Sequence, residues 1–140
     1  MDSEDILLPV LIKRCGRLVD KRIDLLLKEH GIARSQYRVL YYVAQRGILS
    51  QKELLGILQV KGSTLTLIVN ALVHKQLLVR VTDGNDGRIK KLQLTPAGRK
   101  RFKTIPNPGE TINSLLESQL TKRESDDLEH LIKKVIAQLI

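Results

Sequence analysis

Between residues 50 and 95 the spacing of hydrophobic positions changes from a helical period to a strand period. Apolar residues first follow one helical face at Leu54, Leu55 and Leu58, and the pattern breaks at Lys61-Gly62. A second helical stripe follows the break and consists of Leu65, Ile68, Val69, Leu72 and Val73. Two helices separated by so short a break predict a helix-turn-helix, with Lys61-Gly62 in the turn.

The next two runs alternate apolar and polar residues, as strands do. One run contains Val79 and Val81, the other contains Leu92 and Leu94, and two Asp-Gly dipeptides lie between them. Ser50 and Glu53 have the spacing of a capping box at the start of the first helix. Helix, turn, helix and hairpin in this order predict a mainly α fold with a small β-hairpin wing, a winged helix-turn-helix.

The outward face of the second helix is polar and carries no carboxylate. Its members are Lys61, Ser63, Thr64, Thr66, Asn70 and His74. Nearly all of them can form hydrogen bonds, and most are short enough to let the helix enter a groove. This combination suits the major groove of double-stranded DNA, where base edges present donors and acceptors.

Helices are also predicted on both sides of this region. Residues 7–29 carry two neighbouring apolar stripes, and Gly31 is predicted to end this helix. Two stripes favour burial of the helix against a second chain or a central position in the core. Ser35 is predicted to cap a helix that begins at Gln36 and ends at Gly47. Its three tyrosines, Tyr37, Tyr41 and Tyr42, are interpreted either as core residues or as one wall of a small-molecule pocket.

The C-terminal third is predicted to be helical with one interruption. Thr95-Pro96 starts a helix, and the two prolines in residues 105–109 break it. Thr121 and Glu124 form a second capping box, and an apolar stripe then continues to the last residue. Such a stripe predicts packing on the first helix and on the same elements of a second subunit.

Composition narrows the class of partner. The chain has 140 residues, 42% of them hydrophobic, and a net charge of +9. Eight basic residues against two acidic ones place +6 of this charge between residues 80 and 103, in and just after the predicted wing. A polyanionic partner is therefore favoured over a merely solvated basic surface.

The sequence gives no support to several other classes of protein. No apolar run approaches the roughly 18 residues of a membrane span, and the acidic N-terminus is unlike a secretory signal. We find no phosphate loop, nucleophile elbow or paired metal ligands, and His30, His74 and His130 are far apart. We expect a cytoplasmic protein that is not an enzyme, without metal or cofactor and without a membrane partner.

The order and length of these motifs resemble the MarR family of bacterial transcriptional regulators. The run LSQKELLGILQV…STLTLIVNAL…DGNDGR…LQLTPAG carries the resemblance, and Asp86, Arg88, Leu94 and Thr95 match the wing signature of the family. The resemblance spans essentially residues 1–140 as one unit. It implies a winged helix-turn-helix region at 34–98 and dimerisation helices at 4–30 and 99–140.

The resemblance further implies a repressor that acts as a homodimer on a pseudo-palindromic operator. Ser63, Thr64, Thr66 and Asn70 would face base edges or nearby phosphates, and Arg88 would enter the minor groove. The expected phosphate contacts are Gln51, Lys61, Arg80, Lys90 and Lys91, and Asp86 is expected to orient Arg88. Leu67 stands where many relatives have arginine, which leaves a base contact there open.

The resemblance also implies regulation by a small phenolic molecule or by oxidation of a cysteine. Cys15, the sole cysteine, lies on the apolar stripe of the first helix, where it is either a buried small hydrophobe or a redox sensor. The sensing cysteine of the peroxide-responsive branch stands about two turns earlier, nearest Pro9 in this chain. A winged helix used only for protein–protein interaction is the other alternative.

Overall fold

The computed structural model describes residues 7–84 and 86–140, and for Asp83 and Asp86 it describes the backbone alone. Within this part of the chain the elements are α1 (Leu8–Glu29), α2 (Arg34–Arg46), β1 (Ile48–Ser50), α3 (Gln51–Leu58), α4 (Gly62–His74), β2 (Leu78–Asp83), β3 (Asp86–Leu94), α5 (Pro96–Thr104), α6 (Pro108–Glu117) and α7 (Lys122–Leu139). The predicted fold class, mainly α with a small β wing, is confirmed.

The chain divides into two compact units, and α1 passes from one into the other. One unit is Asp24–Ile105, and the other combines Pro106–Ile140 with the described residues up to Ile23. The core of the Asp24–Ile105 unit is aliphatic. Its fully enclosed residues are Leu27, Val39, Leu40, Val43, Leu49, Leu54, Leu65, Val69, Leu72, Leu78 and Leu92. This shared core draws on helices and strands alike, and it positions α3, α4 and the wing.

The wing belongs to a three-stranded antiparallel sheet in the order β1-β3-β2. The two-strand prediction missed β1, which pairs with β3 through Leu49 and Leu92. Leu78 lies opposite Leu94, and Arg80 lies opposite Leu92. Because side chains alternate along a strand, Arg80 lies on the same face as these core leucines. Val79, on the other face, is exposed.

Local capping chemistry sets several boundaries as predicted. The Ser50 hydroxyl accepts a hydrogen bond from the Glu53 N–H at 3.0 Å, and Thr95 accepts one from the Gly98 N–H at 2.8 Å. Gly31 has φ +69°, and the Ile32 N–H bonds the Leu27 carbonyl as in a Schellman motif. Gly47, with φ +76°, ends α2 as predicted.

Two predicted boundaries are wrong. Helix α2 begins at Arg34 with Ala33 as its N-cap, so Ser35 is already helical. The Gln36 side chain accepts a hydrogen bond from the Ala33 N–H at 3.3 Å and so secures this earlier start. The turn between α3 and α4 centres on Gln59, which has φ +53°, and Gly62 is the first residue of α4. Lys61 is the N-cap of α4.

The unit with the terminal helices buries little of its apolar surface. Helix α7 contains no buried residue, although Leu128, Leu131, Ile132, Ile136 and Leu139 repeat along one face. Leu11 and Leu18 of α1 are likewise exposed. At the start of α7, Thr121 and Glu124 form both halves of the predicted capping box, at 3.1 and 2.9 Å.

No single helix in residues 7–84 and 86–140 is long and apolar enough to cross a membrane. Helices α3 and α4 pass such a test only when taken together, and they are bent by 117° at their junction.

Candidate nucleic-acid interface

The polar face of α4 is solvent-exposed as the sequence predicted. The buried stripe is Leu65, Val69 and Leu72. Ser63, Thr64, Thr66, Asn70 and His74 are all exposed, as is Lys61 immediately before the helix. At about 100° per residue, Ser63, Thr66 and Asn70 lie within about 60° of one another and form a single face. The helix therefore presents hydroxyl and amide groups, without a carboxylate, on its outer side.

A hydrogen-bonded chain joins the two helices of the helix-turn-helix at this face. Gln51 Nε2 donates to Thr66 Oγ1 at 3.1 Å, and Thr66 Oγ1 donates to the Gly62 carbonyl at 3.0 Å. The single hydroxyl proton of Thr66 is thereby used within the protein. What Thr66 can still offer to a base is a lone pair, which fits the amino groups of cytosine and adenine.

A second hydrogen bond joins α4 to the wing. Arg80 Nη2 donates to Asn70 Oδ1, with Arg80 half-buried on β2 and Asn70 exposed on α4. With its oxygen engaged, Asn70 offers its two amide protons, which suit the acceptors N7, O6 and O4 of the major groove or a phosphate oxygen. Arg80 retains further N–H donors for the phosphate backbone and also fixes the rotamer of Asn70.

The wing carries the predicted cations on its longest strand. Arg88 and Lys90 are exposed and Lys91 is half-buried, all on β3. Lys91 lies opposite Val81, and Lys90 lies opposite Thr82. Arg88 and Lys91 also make interactions within the protein. The side chain of Asp86, expected to orient Arg88, lies outside the described residues.

Three features of this face were not predicted from the sequence. Leu67 is 71% exposed among the polar residues of α4. The Arg80–Asn70 and Gln51–Thr66 bonds join residues ten and fifteen positions apart, beyond the reach of a periodicity argument. The position of Arg80 could have been predicted. Arg80 is two residues after the buried Leu78, so both side chains lie on the same face of the strand.

The other predicted site residues belong to other helices. Cys15 is a free, exposed cysteine on α1, so burial within a single chain is ruled out. The four aromatic rings cluster, and Phe102 stacks on the buried Tyr37 with ring centroids 5.6 Å apart. In the described residues no three His, Cys, Asp or Glu side chains are grouped as metal ligands would be.

Two cavities lie within the Asp24–Ile105 unit. One, of about 680 Å³, is an open cleft at the start of α2, lined by Lys28, Arg34 and Lys75 among others. The other, of about 290 Å³, lies between the end of α2 and α5. It is lined by Val43, Ala44, Gly47, Leu94, Arg99, Phe102 and Lys103. Phe102, which lines the smaller cavity, also contacts the rings of Tyr37 and Tyr41.

Comparison with known proteins agrees with the resemblance to the MarR family. A model described as the MarR family matches residues 30–89, which include α2, the helix-turn-helix and part of the wing. The multiple antibiotic resistance protein MarR of Salmonella typhimurium is 29% identical over 135 residues, covering 96% of this chain and 94% of that protein. The chain is thus similar to the MarR family in its helix-turn-helix region and to MarR over nearly its whole length. It is a winged helix-turn-helix transcriptional regulator.

Two further known proteins are similar to this chain over most of its length. The transcriptional repressor MdtR of Bacillus subtilis is 28% identical, covering 78% of this chain and 70% of the repressor. A crystal structure of a Cys-to-Ser mutant of Escherichia coli MarR, complexed with operator DNA, superposes with a TM-score of 0.80. It is 27% identical and covers 96% of this chain and 99% of that one.

Proposed function

We propose that this MarR-family regulator is a repressor that acts as a homodimer on a pseudo-palindromic operator in the cytoplasm. Each protomer would insert α4 into a major groove, with half-sites about one helical turn apart. The observation that carries the proposal is the exposed, carboxylate-free polar face of α4, which Arg80 joins to the wing, together with the exposed cations of β3. The similarity to a MarR mutant complexed with operator DNA supports DNA as the partner.

The terminal helices support the homodimer. Leu131 and Ile136 are about half exposed on α7, and Leu139 is more so. An apolar stripe of this length is larger than a monomer usually leaves in water. A second copy supplies a matching stripe, because a two-fold interface uses the same patch on both subunits.

We assign the contacts in two classes. Ser63, Thr64, Thr66 and Asn70 read base edges or bind the nearest phosphates, within the donor and acceptor limits derived above. Gln51, Lys61, Arg80, Lys90 and Lys91 bind phosphate, and Arg88 enters the minor groove. The role of Asp86 in orienting Arg88 stays a prediction.

We propose a small phenolic anion as effector and the 290 Å³ cavity as its site. Val43, Leu94 and Phe102 provide apolar walls, and Arg99 and Lys103 provide cations. An aromatic ring with one negative charge needs both kinds of lining. Since the chain has no tryptophan, tyrosine fluorescence would report on Tyr37 and Tyr41 beside Phe102 as the ligand is added. Unchanged operator affinity at saturating phenolic acid would contradict this assignment.

The decisive experiment measures affinity for duplexes selected from a random library, over a salt series. We expect log K to fall steeply with log salt, and selected DNA to bind far more tightly than random DNA. Arg88→Ala should weaken binding by about 1–3 kcal/mol and relax the preference for A·T pairs in the minor groove. Lys90→Ala should weaken all sequences alike and flatten the salt slope by about one.

Lys122→Ala is the matched control. It removes the same charge from the terminal-helix unit, at a side chain that is 90% exposed. It should leave affinity and salt slope unchanged. Weak, salt-insensitive binding by the wild type would instead favour a protein-interaction module, and equal effects of all three variants would contradict the contact classes.

A further inference from the structure

Within the described part of the chain, Leu67 has no structural reason to be apolar. Helix α4 is described throughout, and Leu67 is its one large hydrophobic residue in the exposed class, with 71% of its surface in water. Its neighbours Leu65 and Val69 are fully buried and complete the core side of the helix without it. Leu67 therefore contributes next to nothing to the packing of this unit.

Its position is central on the face that we propose enters the groove. Leu67 lies four residues after Ser63 and three before Asn70, so it is one turn from each on the same side of α4. The polar residues beside it are held in place: Thr66 accepts a hydrogen bond from Gln51, and Asn70 accepts one from Arg80. An apolar side chain thus stands in the middle of a fixed polar frame.

The major groove offers one apolar partner for such a side chain. Apart from the small C5–H of cytosine, the groups that the bases present there are donors or acceptors, with the C5-methyl of thymine as the one larger apolar group. A leucine placed over a donor or acceptor would leave that group without water or a partner, which is unfavourable. Placed over a thymine methyl, it removes apolar surface of both partners from water.

We therefore propose that Leu67 is a specificity-determining residue that selects thymine at one position of each half-site. This inference rests on the proposed function, because it requires α4 to lie in a major groove. It also accounts for a leucine at a position where hydrogen-bonding residues surround it on both sides.

Uracil substitution tests the inference, because uracil lacks only the methyl group. Each thymine of the selected duplex is replaced by uracil in turn, and the dissociation constant is measured at one salt concentration. For the wild type we expect one thymine per half-site at which the substitution weakens binding about fourfold, the effect of one buried methyl group. Leu67→Ala should bind the thymine duplex more weakly and should show no difference between thymine and uracil at that position.

Further variants establish the chemistry. Leu67→Met keeps an apolar side chain and should keep the preference for thymine. Leu67→Arg should move the selected base to guanine, since a guanidinium binds O6 and N7 of guanine in bidentate fashion. Val79→Ala is the control: Val79 is 40% exposed but lies on the sheet face opposite Arg80, so the response to uracil should not change.

The outcomes separate this inference from the proposed function. Selective, salt-dependent binding without any methyl-sensitive thymine would overturn the role of Leu67 and leave the proposed function intact. The same holds if the methyl effect persists in Leu67→Ala, or if Leu67→Ala binds all duplexes like the wild type. Absence of selective binding by the wild type would overturn both.

Discussion

The two units of this chain use the same kinds of apolar residues for opposite purposes. Every buried hydrophobic side chain of the core, from Leu27 to Ile105, belongs to the Asp24–Ile105 unit. Among the described residues of the other unit, Pro108 alone is buried. The winged-helix unit completes a core within one chain, whereas the unit of terminal helices leaves most of its leucines and isoleucines exposed and buries none of them.

The difference shows where a hydrophobic pattern stops being informative. Helices α2 and α7 are both amphipathic, yet α2 buries Tyr37, Val39, Leu40 and Val43, and α7 buries nothing. Periodicity identifies which face avoids water, but not whether its cover comes from the same chain or from another. In our proposal, a second subunit packs on the apolar face of α7 and covers it.

The largest effect is expected from a substitution that disrupts the contact between α7 and the second subunit. Leu131→Glu places a charge in the apolar stripe of α7, where the residue is 55% exposed in the single chain. We expect the dimer to dissociate and operator affinity to fall about a thousandfold, because the two half-sites are no longer bound together. Sedimentation and DNA titration measure the two effects.

Ala137→Glu is the control for this substitution. Ala137 is exposed on α7, and at about 100° per residue it lies on the side of the helix opposite the apolar stripe. The variant introduces the same charge there and should leave the dimer and the operator affinity unchanged. A Leu131→Glu protein that stays dimeric would contradict the assignment of this stripe to the subunit interface.

The Asp24–Ile105 unit should instead lose stability when its internal contacts are changed. A Cβ at Gly98 would overlap the Leu77 carbonyl oxygen, which is backbone and cannot move aside. Gly98→Ala should lower the free energy of unfolding by about 3 kcal/mol, as overpacking does. Gly56→Ala in α3, where a Cβ meets nothing within 4 Å, should raise it by about 1 kcal/mol. Equal stabilities of the two variants in denaturant would contradict the geometry at Gly98.

Much of the fold could be predicted because helix ends are local chemistry. Ser50, Thr95, Thr121 and the glycines at 31 and 47 act on backbone groups a few residues away, so their spacing was sufficient. Strand β1 could not be predicted, since three residues carry too little pattern and their partners lie on β3, far along the chain. The start of α2 was misplaced because a glutamine side chain, rather than a serine cap, determines it.

The candidate interface was predictable to a similar depth. The polar face of α4 and the cations of β3 followed from periodicity, and the structure places both at the surface. What each group can donate or accept depends on partners from other elements, such as Arg80 for Asn70. The exposure of Leu67 likewise depends on which neighbours complete the core, which no spacing rule specifies.

A smaller effect on stability is expected where α4, the wing and α5 meet in the Asp24–Ile105 unit. The Thr95 hydroxyl donates to the Gln76 carbonyl at 2.6 Å and accepts from the Gly98 N–H at 2.8 Å. Thr95→Ala removes both bonds and should lower the free energy of unfolding by about 2 kcal/mol. Thr95→Ser keeps the hydroxyl and should stay within about 0.5 kcal/mol of the wild type. If both variants lose the same stability, the methyl group rather than the hydroxyl is responsible.

The smallest effect concerns the unit of terminal helices and depends on pH. Hydrogen bonds from the backbone and side chain of Thr121 lower the pKa of Glu124 below its ordinary value of 4.5. A carboxylate with a depressed pKa stabilises the folded state above its unfolded pKa, and the contribution is lost as the pH falls through the folded value. Glu124→Gln, which can still accept the Thr121 N–H bond, should therefore melt slightly below the wild type at neutral pH. The difference should disappear as the pH falls through this lowered pKa, because both side chains are then uncharged. A difference in melting temperature that is the same at neutral pH and below this pKa would show that the charge of Glu124 does not contribute to the cap.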